Sequence, residues 1–315
     1  MIDVRTDFSK FLFRSHMVGK ILSGLPNPLT DKQQERFVEL SARKEGNGKP
    51  LTDNMISEWG ILYARTKEKP VLTDGVKKLL KEMVFSEMFG RRKSIESKMI
   101  VKGQIREEDG ITLFSNVTGR LYVKNKERRD NDWFSGECDI NNNSDTIDDI
   151  KLSWNIDTFP AIDEKLTSSD YRPQGYCYLD LWDKKKYRVA YCLVNTPDFL
   201  IERELRSLYY SIGCVDLNGE LAIRDEHVED IVDLVSKHIY TRQGLEEFIH
   251  TQVSIELDWF SDFVEIPESF RVKLFQFEKD EKELADIKTM VSLAREFMCS
   301  EAEKMAANGL DVVTV

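Results

Sequence analysis

Cysteine and histidine are scarce in this chain and long apolar runs are missing. Each shortage removes a class of function. The 315 residues include 5 cysteines and 4 histidines. Cys138, Cys177, Cys192, Cys214 and Cys299 nowhere approach the C-x-x-C spacing of a zinc, iron–sulfur or dithiol site, and five is an odd number, so isolated reduced thiols are expected. His16, His227, His238 and His250 form neither H-x-x-x-H nor H-E-x-x-H. No stretch nears the ~18 apolar residues of a membrane span. "GKPLT" at 48–52 lacks the upstream half of a phosphate-binding P-loop, and there is no G-x-S-x-G nucleophile elbow. The opening "MIDVRTDFSKFLFRSHMVGK" places an acid early and has no long apolar segment. It is not expected to act as a secretory signal, which leaves a cytoplasmic location as the expectation. No internal repeat and no low-complexity segment is present.

What remains is the composition of a globular protein, 41% hydrophobic and 32% charged, long enough to bury a sizeable core. The net charge of −11 is unevenly spread. Residues 1–197 hold 33 Lys and Arg against 30 Asp and Glu, a net of +3; residues 198–315 hold 12 against 26, a net of −14. The acid excess therefore belongs to the C-terminal third. Basic runs lie in the first two thirds, at Arg91-Arg92-Lys93, Lys124 to Arg129 and Lys184-Lys185-Lys186. Such runs are either solvated faces or tracks for phosphates.

The first ninety residues read as helices between loops. Thr30 and Gln33 form a capping-box pattern, two further Thr-Asp openings follow, and Gly90 stands where a helix should end. Another helix is expected from about Ile95 to Phe114. The pattern then changes to period two in "GRLYVKNK", "DWFSGECDI" and "TIDDIKLSW", three expected strands, with "NNNS" at 141–144 as a hairpin turn. A helix is expected from Ser168 or Asp170, with Pro173 in its first turn. "KYRVAYCLVNTP" reads as a strand stopped by Pro197. The remainder is mostly helical, with "FRVKLFQFE" as a further strand. Regions of 1–94, 95–200 and 201–315 follow from these shifts.

The hairpin brings one strand ending in Asp139 beside another carrying Asp149 and Lys151. Residues two apart on a strand share a face, so Asp149 and Lys151 point the same way while Asp148 points away and is structural. Asp145 belongs to the turn. Two converging carboxylates repel unless a cation lies between them. A divalent metal with hard oxygen ligands is one solution, and a nearby lysine could hold water or stabilise phosphoryl charge. Gln174 and Tyr178, four apart, share a helical face. Taken singly, each of these residues is as well explained as a surface charge or a packing group; their joint order is what carries weight.

That order resembles the signature of the PD-(D/E)XK nuclease superfamily. "GECD" ends at Asp139, and "DIK" follows at Asp149 to Lys151. Upstream, "KGQIRE" is similar to the helix that supplies a glutamate, Glu107. Downstream, "QGYCY" from Gln174 to Tyr178 resembles the Q-x-x-x-Y motif of the RecB and lambda-exonuclease branch, and "VAYCLVNTP" looks like the strand that closes that core. "FRSHMVGKI" resembles the Arg–Ser helix start of lambda-type exonucleases. The resemblance spans roughly residues 95–200. It implies an α/β, restriction-endonuclease-like core, a mixed central sheet flanked by helices, with helical N- and C-terminal additions.

For activity, the resemblance implies Mg²⁺-dependent DNA hydrolysis, exonucleolytic, with Mn²⁺ able to substitute, in phage or mobile-element recombination and host cytoplasm. Glu107, Asp139, Asp149 and the Ile150 carbonyl would bind metal, Lys151 would position water, and Gln174 and Tyr178 would steady water or phosphate. Arg14 and Ser15 would contact a 5′-phosphate, with Trp154 and Lys184, Lys185 and Lys186 further candidates for DNA. The expected partner is DNA, not a membrane, and the resemblance leaves room for a homo-oligomer and for a single-strand-binding or annealing protein. Two other classes stay open at this level: a non-cleaving nucleic-acid-binding module, and an interaction protein using its acidic C-terminal third.

Overall fold

The computed structural model describes residues 5–91, 97–141, 144–166, 168–215 and 219–307. In chain order the elements are β1 (Phe13–Arg14), α1 (Ser15–Val18), α2 (Asp31–Lys44), α3 (Asp53–Thr66), α4 (Asp74–Phe89), α5 (Lys98–Thr118) and β2 (Arg129–Asp130). Next come β3 (Phe134–Gly136), β4 (Ile140–Asn141), β5 (Thr146–Leu152), α6 (Tyr171–Trp182), β6 (Lys186–Cys192) and α7 (Asp198–Ser211). The last are α8 (Asp225–Ser236), α9 (Arg242–His250), β7 (Val272–Glu278) and α10 (Glu281–Ala307).

The expected helix punctuation holds. Thr30 and Gln33 close a capping box on α2, Thr73 caps α4 by accepting from Val76 N–H, and Gly90 ends α4 at φ 62°. Pro173 lies in the first turn of α6, where its missing N–H costs nothing. The basic run at Arg91 continues into Arg92 and Lys93, which lie outside the described residues.

Four strands make the central sheet in the order β4-β5-β6-β7, and it is mixed: β4/β5 antiparallel, β5/β6 parallel, β6/β7 antiparallel. The β4–β5 pairing, Ile140 to Asp148 and Asn141 to Ile147, is the hairpin expected around "NNNS"; residues 142 and 143 lie outside the described residues. A smaller sheet, β1-β3-β2, lies apart from it in pairing.

Alternation along β5 divides the core in two. Ile150 and Leu152 pack with Ile111 and Phe114 of α5, whereas Ile147 packs with Tyr176, Leu179, Tyr187 and Phe277 under α6. Glycine sets the approach on both faces. A Cβ on Gly110 would meet Leu152 Cδ2 at 2.5 Å, and one on Gly175 would meet Phe277 Cζ at 2.6 Å. Neither helix could sit so close to the sheet with a side chain there. α10 packs on α4 and α6, and α7, α8 and α9 enclose a satellite core around Ile201, Ile231, Val235 and Phe248.

Two expectations are corrected. "GRLYVKNK" is not a strand: Tyr122 stacks on Phe114 at 4.7 Å while Leu121 and Val123 point to solvent, so the alternation is real but no ladder forms. "DWFSGECDI" is broken into β3 and β4, which belong to different sheets. The acidic third is also no separate unit. It supplies β7 to the central sheet and α10 to the core under α6, so a boundary at 200 cuts through the sheet. No helix among the described residues is long and apolar enough to cross a membrane.

Candidate active site

Asp149 stands in the middle of β5, 1% exposed, on the face covered by α6. Its Oδ2 lies 2.6 Å from Lys151 Nζ, the same-face neighbour that the strand period requires. Its Oδ1 accepts a 3.4 Å hydrogen bond from Gln174 Nε2 on α6. Burial opposes the Lys151 charge, but Asp149 and Asp139 outweigh it and hold the ammonium above the usual lysine value. Lys151 is therefore a fixed cation at neutral pH, not a base. Its Nζ also lies 5.0 Å from the ring centroid of Tyr171.

Asp139 comes from the bend just before β4. Its Oδ2 accepts from Ile150 N–H at 2.7 Å, which locks the carboxylate against the edge of β5. N–H and C=O of one strand residue leave on the same side, so the Ile150 carbonyl is directed toward Asp139 as well. Burial, then the charge of Asp149, push the Asp139 carboxyl up to about 7. Tyr178, one helical turn beyond Gln174, is buried beside both acids; burial and then Asp149 and Asp139 raise its phenol well above its usual value. It remains a neutral donor.

Glu107 projects from α5 toward the same region, where its charge is felt by Asp139. Its Oε2 lies 2.6 Å from Lys124 Nζ. Among the described residues, no three Asp, Glu, His or Cys side chains converge closely enough to hold an ion by themselves. Mg²⁺ does not need three: it characteristically takes one or two carboxylates, with waters and substrate phosphates completing the shell. Asp139, Asp149 and the Ile150 carbonyl are a hard-oxygen set of that kind. Burial first, and then the charge of Asp149, make an ionised Asp139 costly there, and a dication offsets both.

The N-terminal segment reaches the same cleft. β1 pairs in parallel with β3, and α1 packs on α6. Arg14 is exposed, while Ser15 is buried with its hydroxyl donating to the Ser135 carbonyl at 3.4 Å. The pKa of His16, between them and α6, is lowered by burial and then by Arg14, Lys20, Lys151 and Arg128. The charges of Arg14, Lys20, Lys151 and Arg128 thus act on one imidazole. Sequence reasoning named only Arg14 and Lys151 of these. Arg128 fell within a basic run without a role, and His16 and Lys20 lay within the "FRSHMVGKI" stretch without one.

Two expectations about DNA contacts are corrected by burial and pairing. Trp154 is only 6% exposed, edge-on to His238 at 4.9 Å, with Lys98 Nζ 4.8 Å from its ring centroid. It cannot offer a face to a base without unpacking. Lys184, Lys185 and Lys186 lie where β6 begins, at the other end of the strands from Lys151. Lys184 Nζ donates to the Ser144 carbonyl at 2.6 Å, Lys185 pairs with Asp145 at 3.4 Å and Lys186 with Glu278 at 3.7 Å. The run is tied into the turn, two of its ammonium groups by ion pairs and one by a carbonyl. Asp148, as expected, is structural: fully buried, it pairs with Arg188 on the α5 face.

No protein-family model matches the chain, and no curated protein does. Among solved structures, a phage-related exonuclease from Haemophilus somnus 129PT is 20% identical, with a TM-score of 0.57 over 94% of this chain and 97% of that one. The alkaline exonuclease LHK-Exo from Laribacter hongkongensis is 11% identical, with a TM-score of 0.44 over 75% of this chain and 86% of that one. At such identities a likeness speaks for architecture, and the first of the two spans nearly the whole of both chains. This chain has the restriction-endonuclease-like α/β fold, shared with that phage-related exonuclease.

Proposed function

We propose that the protein is a metal-dependent deoxyribonuclease that hydrolyses phosphodiester bonds from DNA ends, in phage or mobile-element recombination and DNA processing. The observation that carries this reading is the convergence of Asp139, Asp149 and Lys151 at one sheet edge, with Gln174 and Tyr178 behind them. The solved structure described as a phage-related exonuclease has the same fold, which raises the prior for that chemistry.

A Mg²⁺ ion, or Mn²⁺ in its place, held by Asp139, Asp149 and the Ile150 carbonyl would supply Lewis-acid stabilisation of the phosphoryl oxygens. The protein side chains do the rest. Lys151, kept protonated by Asp149, orients the attacking water by donating to it and balances charge that develops on phosphate. Gln174 fixes the rotamer of Asp149, and Tyr178 offers a neutral hydroxyl to an anionic oxygen. Arg14, Lys20 and Arg128 form the cationic side on which a terminal 5′-phosphate is received.

The test uses end-labelled linear duplex, single strand and closed circle, each with Mg²⁺ or EDTA. Mononucleotide release from linear DNA in Mg²⁺, with closed circles intact, is expected. Nicking of closed circles at the same rate would make it an endonuclease, and no metal-dependent cleavage at all would overturn the reading.

Two variants locate the DNA path. Arg14→Ala should reduce the preference for a 5′-phosphate over a 5′-hydroxyl end on the order of 10-fold, the worth of one charge-assisted bond, without erasing basal cleavage. Rates on the two ends that keep the wild-type ratio would remove Arg14 from the clamp. Alanine at Lys184, Lys185 and Lys186 together should leave the slope of log affinity against log salt unchanged. Three phosphate contacts would instead flatten it by about 2.7. The comparison is made in Asp149→Asn protein, so that DNA survives the titration.

A further inference from the structure

We infer that the cavity between α5, the end of β6 and α9 binds a carboxylate carried on an apolar body, with Arg271 and Arg106 receiving the charge. None of the residues proposed above for metal, water or phosphate lines it, so the inference is independent of the nuclease reading. The cavity measures about 380 Å³, a size that small ligands and peptide ends fill. Arg271, the residue before β7, lines it and is 8% exposed. Its Nε is buried without a hydrogen-bond partner, and among the described residues no carboxylate pairs with its guanidinium. The backbone pins the residue there: its N–H donates to the Glu268 carbonyl at 2.9 Å, and its carbonyl accepts from Leu193 N–H at 2.8 Å. Arg106 lines the cavity from α5. Its Nη1 bonds to Asp109 Oδ2 at 3.0 Å, but its Nε is also buried without a partner.

A guanidinium cannot shed its proton, so a buried one without a counter-charge carries its full desolvation cost. Burial accordingly pulls Arg271 below the usual arginine value, against the charges of Glu268 and Glu265. Those two acids are engaged elsewhere, Glu268 Oε1 with Asn116 Nδ2 at 3.0 Å and Glu265 Oε2 with Arg242 N–H at 2.8 Å. Water would satisfy the buried N–H groups but would not balance the charge. A carboxylate does both, because its two oxygens match the planar fork of an arginine. Other polar groups of the lining are already bonded: Asn195 Nδ2 to Thr241 Oγ1 at 2.9 Å, and Thr112 Oγ1 to the Glu108 carbonyl at 2.9 Å. Leu113, Val194 and Ile239 supply a buried apolar wall. The exposed part of the lining is acidic, with Asp198, Glu247 and Glu268. Those charges repel a polyanion such as a DNA strand and leave a single carboxylate as the anion that fits.

The experiment follows the Nε–H signals of Arg271 and Arg106 by ¹⁵N NMR on the full-length protein, each assigned by its loss in Arg271→Lys or Arg106→Lys. N-acetyl-L-leucine should shift both signals. N-acetyl-L-leucinamide, the same body without the charge, should bind at least about 10-fold more weakly. Arg271→Lys keeps a charge but not the fork, and should weaken N-acetyl-L-leucine by a similar factor, read from the Arg106 signal. A lysyl-lysyl-leucine peptide with a free C-terminus separates the two sources of such a group. Tighter binding than N-acetyl-L-leucine would assign the site to the C-terminus of a protein chain, through the acidic lining; equal binding would assign it to a free small acid. Inorganic phosphate binding as tightly as N-acetyl-L-leucine, or no shift of either wild-type signal with any of these probes, would overturn the inference and leave the nuclease reading untouched.

Discussion

Asp149→Asn should lower Mg²⁺-dependent cleavage on the order of 10³-fold or more, because it removes a proposed metal ligand and frees Lys151 from the group that holds it. The fold should survive. Asparagine is isosteric, Gln174 keeps an oxygen to donate to, and the loss of one buried charge lessens the repulsion on Asp139. A second readout separates a lost ligand from a damaged site. An acid whose folded pKa is raised, as Asp139 is to about 7, binds more protons folded than unfolded between about pH 4 and 7. Its contribution to stability is present at low pH and lost as pH rises through 7. A dication bound at the pair reverses that penalty at pH 8, so Mg²⁺ should raise the Tm of wild type. It should leave the Tm of Asp149→Asn where it was. A Mg²⁺-dependent rise of equal size in both proteins, or wild-type turnover in the variant, would take Asp149 out of the site.

The part of the site legible in the sequence is the part with a period. Asp149 and Lys151 share a face because strands repeat every two residues. Gln174 and Tyr178 share one because helices bring i and i+4 together. Those rules hold in any surroundings and account for the Asp149–Lys151 contact; that Gln174 meets Asp149 depends on how α6 packs on the sheet. Asp139 needed one further inference, the β4–β5 hairpin, and that turn is local too.

What the sequence concealed depends on distant pairing or on burial. β7 joins β6 across about eighty intervening residues, and nothing in "FRVKLFQFE" says which strand it will lie against. Trp154 follows β5 directly, but its environment is decided by His238 and Lys98, from opposite sides in sequence. Lys124 and Lys185 look alike as members of basic runs. One is placed against Glu107 by Asn125; the other closes a turn against Asp145. Charge type is written in the sequence, and charge partnership is not.

The largest stability effect is expected at Lys102, within the "KGQIRE" stretch but outside the site. It is fully buried, and its Nζ donates to the Trp154 carbonyl at 2.9 Å and to Thr196 Oγ1 at 3.0 Å. No carboxylate accompanies it in those contacts. Burial, and then Arg106, pull its pKa from 10.5 down to about 7, while His238, beyond Thr196, is pulled to about 4 by burial and then by Lys102. Between about pH 7 and 10.5 the unfolded chain therefore carries a proton that the folded chain does not. The folding free energy contributed by Lys102 must improve as pH rises through that window, by up to about 1.4 kcal/mol per pH unit. Lys102→Met removes the titration and keeps the volume. It orphans neither acceptor, because Thr196 Oγ1 still donates to the Trp154 carbonyl at 3.3 Å and still meets His238 Nδ1 at 3.1 Å. At pH 7 and below the variant should thus be at least as stable as wild type, an unusual result for a fully buried polar residue. Urea unfolding of both proteins at pH 6.5, 7.5 and 8.5 provides the measurement. The difference, wild type minus Lys102→Met, should grow in favour of wild type by roughly 1 to 2 kcal/mol across that span. Taking the difference cancels the buried cysteines, which titrate in both proteins. Parallel curves would mean that Lys102 keeps an ordinary pKa, with its charge held by the two oxygens alone.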